Sequence, residues 1–101
     1  MAINLKAITS VLGYQQITSL SSATALTVPQ KDIAGLAGSP RIAIITPEGQ
    51  AVRWRDDGVN PTSTVGMPLA VGVTLQYDGD INQIKFIEQS AGAKLNITYY
   101  S

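Results

Sequence analysis

The chain has 101 residues, seven basic and seven acidic, with no cysteine and no histidine. That length predicts one domain with a modest core, burying roughly 60–70% of the surface the unfolded chain exposes. Zero net charge argues against a nucleic-acid binder, which needs a basic excess to displace counterions. The missing cysteine and histidine remove disulfides, thiolate metal sites and the commonest general base.

Residues 1–12 begin Met1-Ala2-Ile3-Asn4-Leu5-Lys6, without the positive start and long apolar run of a signal peptide. No apolar run approaches the roughly 20 residues of a membrane span. Ile3, Leu5, Ala7 and Thr9 share one parity, so the segment reads as an edge strand or an extended N-terminal arm. Gly13 ends it. The single domain then runs over residues 13–101.

Tyr14 to Thr18 reads as a short strand, and residues 19–22 as a turn. Residues 23–28 alternate until Pro29. Residues 29–40, with two glycines and flanking prolines, form a connection. Arg41-Ile42-Ala43-Ile44-Ile45-Thr46 is β-branched and apolar, too short for a helix, and reads as a buried strand. Pro47-Glu48-Gly49-Gln50 reads as a tight turn, pairing that strand with residues 51–55 in a hairpin.

Residues 51–58, Ala-Val-Arg-Trp-Arg-Asp-Asp-Gly, hold the only tryptophan and two of the three arginines. Strict alternation puts Val52 and Trp54 on one face and Arg53 and Arg55 on the other. Trp54 is expected in the core. Arg53 and Arg55 are expected to pair with Asp56, Asp57, a carboxylate across the sheet, or a neighbouring subunit. Residues 56–66 carry no periodicity and form a loop longer than the usual connection, which marks a functional or contact surface.

Residues 67–72 lead into a strand at 73–77, with Val73, Leu75 and Tyr77 on one face. Asp78-Gly79-Asp80 turns the chain. Strands follow at 84–88, with Ile84 and Phe86 inward, and at 94–100, with Leu95, Ile97 and Tyr99 inward. Five strands from Arg41 onward, spaced by turn signals, predict an all-β fold: a small antiparallel β-sandwich or β-barrel.

The aspartate pairs 56/57 and 78/80 could serve calcium, but they lack the rest of a calcium loop and read better as turn residues. Serines and threonines abound with no histidine or cysteine to activate them, and no glycine pattern cradles phosphate. Neither an enzyme nor any cofactor or metal is expected. The Arg53-Trp54-Arg55 triplet could stack on single-stranded nucleic acid, but a neutral domain weakens that reading.

Three runs carry a resemblance: residues 50–58 with Pro61-Thr62 and Val65-Gly66-Met67-Pro68-Leu69; Tyr77-Asp78-Gly79-Asp80 with Ile84-Lys85-Phe86-Ile87; and residues 91–100. They resemble small virion structural proteins of tailed bacteriophages; the resemblance covers roughly residues 40–101, with a weaker match at Leu26 to Pro29. The resemblance implies a compact β-sandwich or barrel assembled on the particle, often as a trimer. Similar modules occur as capsid decoration proteins and as head or tail accessories; the leading expectation is a capsid decoration (cement) protein, a homotrimer bound to the major capsid protein or another virion protein. Such a chain would be assembled in the host cytoplasm, with no membrane or nucleic-acid partner. The alternative is a head-fibre or tail accessory module that recognises a host surface or another virion protein. Expected interface residues are Arg53, Arg55, Asp56, Asp57, Asn60, Thr62 and Tyr100.

Overall fold

A computed structural model describes residues 11–29 and 40–100. Within them the chain forms eight strands and no helix: β1 (Val11–Ile17), β2 (Thr24–Ala25), β3 (Ile42–Glu48), β4 (Val52–Arg55), β5 (Met67–Leu69), β6 (Leu75–Tyr77), β7 (Lys85–Glu88) and β8 (Lys94–Tyr100). The strands build two antiparallel sheets of four, ordered β1-β8-β3-β6 and β2-β7-β4-β5. The fold is all-β, in the form of a small β-sandwich.

Alternation fills the space between the sheets. Ala43, Ile45, Leu95, Ile97 and Tyr99 point inward from the first sheet, and Val52 and Phe86 from the second. Ile84, Ile81, Leu20 and Leu26 close the core from the connections. Each fully buried aliphatic or aromatic side chain contributes about 1.5–3 kcal/mol relative to exposure. The inward sets expected for residues 84–88 and 94–100 are those observed.

Residues 1–10, which carry most of the expected arm, and residues 30–39 of the expected connection lie outside the described residues. Val11 and Leu12 belong to β1, and Leu12 is buried in the core. The domain therefore starts no later than residue 11. Gly13 does not break the strand. The register of β1 on β8 shifts between Val11 and Gly13, a bulge that lets the strand continue.

The hairpin expected between residues 42–46 and 51–55 does not form. Strand β3 pairs with β8 and β6 in the first sheet, whereas β4 pairs with β7 and β5 in the second. Pro47, expected to open the turn, is buried inside β3 opposite Leu95. Gly72 donates its N–H to the Pro47 carbonyl at 3.0 Å, on the β6 side. The N and C=O of one strand residue face the same way, so the nitrogen that cannot donate also faces that side, beyond the end of β6. The chain then crosses between sheets at Gly49, whose φ of +84° is open to glycine. A Cβ there would lie 2.7 Å from the carbonyl oxygen of Gly92.

Two further differences sit at the edge of the sandwich. Met67–Leu69, read as a lead-in, is an edge strand paired with Val52, Arg53 and Trp54. Strand β6 starts at Leu75, and Val73 before it is exposed.

Candidate functional site

The residues expected at an interface gather where β4 leaves its sheet, with one exception. Arg55 follows Trp54 on β4 and donates to Asp57 through Nε (3.0 Å to Oδ1) and Nη2 (to Oδ2), a two-point pair. It is the one ion pair among the described residues. That hydrogen bond is the main reason the Asp57 pKa lies below its ordinary value and the Arg55 pKa above it. The N–H of Val59 also points at Asp57, at 3.4 Å.

Arg53 makes no ion pair among the described residues. Its guanidinium holds the 56–66 loop by donating to the carbonyls of Ser63 (3.3 Å) and Gly66 (2.8 Å). The loop can lie this close because residue 66 is glycine. A Cβ there would meet Arg53, Pro61 and the Trp54 carbonyl at 3.1–3.2 Å, and its φ is +145°. Thr62 closes a small turn, donating its N–H to the Val65 carbonyl (2.8 Å) while its Oγ1 accepts the Val65 N–H (3.0 Å). Asn60 accepts from Lys85 Nζ at 3.1 Å. Arg53, Arg55, Asp57 and Thr62 are thus bound up in holding the loop, and Asn60 ties it to Lys85 on β7.

Tyr100 stands apart. It lies on β8 of the first sheet, and alternation with buried Tyr99 turns it to the outer face. On that face Asn96 links three strands: its Oδ1 accepts from Tyr14 Oη (2.5 Å) and Gln16 Nε2 (3.1 Å), and its Nδ2 donates to Glu48 (3.1 Å).

Trp54 is not in the core but half-buried at its margin, packed against it. Its ring meets Tyr77 edge-on, with centroids 6.0 Å apart and planes at 65°. Tyr77, itself buried, passes its hydroxyl out to Asp56 Oδ2 at 2.7 Å. Burial, with that carboxylate as the second cause, pushes the Tyr77 pKa well above its ordinary value. Between the loop and β4 lies an open cleft of about 230 Å³, lined by Trp54, Arg55, Asp56, Asp57, Val65, Gly66 and Met67.

Sequence reasoning missed Val65 and Met67 in the lining of this cleft, and Tyr77, which braces two of its lining residues from the core. Tyr77 had the inward parity of a core residue, and nothing local marks where its hydroxyl goes. Met67 could have been found, because a proline next to it signals an edge strand whose neighbours are half exposed. Exposed large apolar side chains are grouped along the sequence, and two of them, Val65 and Met67, line this cleft. Of the large apolar side chains exposed among the described residues, Val59, Val65, Met67, Val71 and Val73 lie within residues 59–73, and Val11 and Tyr14 lie on β1. No three His, Cys, Asp or Glu side chains converge among the described residues. Comparison with family models, with curated protein sequences and with solved structures found no match.

Proposed function

We propose that this chain is a virion structural protein of a tailed bacteriophage, a capsid decoration (cement) protein that binds the assembled lattice as a homotrimer. The observation that carries the reading is the run of five exposed apolar side chains between Val59 and Val73, along edge strand β5 and the connections on either side of it. Scattered single exposures are ordinary, but a concentration of this kind marks a surface that another protein covers. With 14% charged residues and no net charge, little electrostatic repulsion opposes packing copies together. Pro68 within β5 blunts strand-on-strand growth, so contact there is made through side chains. The resemblance of residues 40–101 to phage virion proteins supports a place on the particle. A protein that binds only the assembled lattice raises the free energy needed to pull capsomers apart.

The test is sedimentation equilibrium of the purified chain, followed by titration onto undecorated heads. The reading expects a trimer, saturable binding and a higher melting temperature of the decorated heads. A Val71→Asp, Val73→Asp double variant should keep the β fold and lose the trimer. A monomeric wild type that leaves heads unbound and unstabilised overturns the reading.

A further inference from the structure

We propose that Asp78 is a site of spontaneous backbone isomerisation to isoaspartate, and that Arg55 protects the chemically equivalent Asp57 from the same reaction. The inference stands apart from any virion role.

The reaction needs an aspartate followed by a small residue, so that the next backbone nitrogen can reach the side-chain carboxyl. Of the five aspartates, only Asp57 and Asp78 precede glycine, and no asparagine does. At Asp78 the Gly79 nitrogen attacks Cγ; the carboxyl OH and the N–H hydrogen leave as water, and a cyclic imide forms. Solvent water then adds to the imide carbonyl that came from the main chain and breaks its bond to nitrogen. The chain now runs through Cγ, the former main-chain carbon becomes the free carboxylate, and no atoms are gained or lost overall.

Ring closure requires a backbone and a carboxyl that are both free to turn. Both pairs lie on exposed connections, and neither glycine N–H joins a backbone hydrogen bond among the described residues. The carboxyls differ. Asp57 is held by two hydrogen bonds from Arg55 and also accepts the Val59 N–H. Tyr77 and Asp80, on either side of Asp78, are bonded through their side chains, but Asp78 is in no such bond or ion pair among the described residues. Crowding ranks the two sites the other way: a Cβ at Gly58 would meet nothing within 4 Å, whereas one at Gly79 would strike the Tyr77 hydroxyl. That contact touches the glycine Cα, while Arg55 grips the group that reacts, so the grip on the carboxyl decides. Isoaspartate at Asp78 lengthens the backbone by one carbon and moves Gly79 against the hydroxyl that holds Asp56.

The test holds the full chain at physiological temperature and neutral pH for several weeks. The tryptic peptide carrying both aspartates is then sequenced by electron-transfer fragmentation, which separates isoaspartate from aspartate at each position. The proposal expects isoaspartate to build up about fivefold faster at Asp78 than at Asp57, the factor that a well-formed surface ion pair is worth. Arg55→Gln should bring Asp57 up to the rate of Asp78, and in urea the two should react alike. No isoaspartate at Asp78, equal rates in the folded wild type, faster reaction at Asp57, a difference that persists in urea, or an Arg55→Gln variant in which Asp57 stays slow overturns the proposal. Should Arg55→Gln fail to fold, the comparison of folded with urea-unfolded wild type decides.

Discussion

Tyr77 on β6 donates to Asp56, and that single bond of 2.7 Å ties the loop leaving the second sheet to the edge of the first. The same ring edges against Trp54, so one tyrosine braces both the carboxylate and the indole of the cleft. Tyr77→Phe keeps the ring and removes the bond. The expected loss is about 0.5–1.5 kcal/mol in urea unfolding. Asp56→Ala should cost no further stability when added to Tyr77→Phe, because both changes delete one interaction. Full additivity in that cycle would mean the bond is not made in solution.

Burial pushes the Tyr99 hydroxyl, which donates to Gln15 Oε1 at 2.7 Å, up to about 12 from an ordinary 10. A folded group that keeps its proton longer than the unfolded one adds stability that is complete below the unfolded value. That stability drains as pH climbs toward the folded value. Stability should therefore hold steady up to about pH 10 and fall between about 10 and 12. Denaturation midpoints across that window measure it, and Tyr99→Phe should lessen the fall, leaving the part that comes from Tyr77, whose pKa is also raised.

Trp54 and Phe86 are neighbours across β4 and β7, and they differ in depth: Phe86 is 0% exposed, whereas Trp54 is half-buried. Phe86→Ala should cost about 3–5 kcal/mol. Trp54→Ala, though it deletes the larger side chain, should cost less, about 1.5–2.5 kcal/mol. Equal or reversed costs in denaturant unfolding would place the indole deeper than the geometry has it.

Arg53→Lys keeps the charge and loses the fork that spans two carbonyls. The 56–66 loop should loosen while the sandwich stays folded. Amide exchange at Val65 should speed up, with exchange at Ile97 unchanged.

Gly49 and Gly58 share a φ of +84°, but a Cβ at Gly58 meets nothing within 4 Å whereas one at Gly49 would strike the Gly92 carbonyl. Gly58→Ala should cost about 1 kcal/mol from backbone strain alone. Gly49→Ala should cost clearly more, since the turn at Gly92 must also shift. Thermal melts of the pair separate strain from collision.

The inward faces of β7 and β8 were legible because alternation within a strand depends only on the strand itself. Partnership across sheets was not. Pro47-Glu48-Gly49-Gln50 has the residues of a turn, and a turn was the local reading. Whether the next strand folds back or crosses over depends on β8 and β7 competing for β3 and β4, and the paired residues lie from 30 (Arg55 and Lys85) to 58 (Ile42 and Tyr100) positions apart in sequence. Trp54 had the parity of a core residue and does face its side of the sheet. Its depth is set by the open edge at β5, which sequence read as a lead-in. The cluster of Arg53, Arg55, Asp56, Asp57, Asn60 and Thr62 was legible from composition, but not that most of it is spent holding its own loop.

The order of strands also constrains how the chain is made. Of the six pairings, only β4 with β5 joins strands adjacent in sequence, and β8 is inserted between β1 and β3. Without β8 the first sheet has no centre: β1 loses its partner and β3 keeps only the short β6. A growing chain on the ribosome thus cannot complete this sheet until residues 94–100 have emerged, and folding dominated by such distant pairings falls in the millisecond-to-second range. Until then the nascent chain carries Ile42–Glu48 with an unfilled edge, a segment open to chaperones or to a neighbouring nascent chain on the same message.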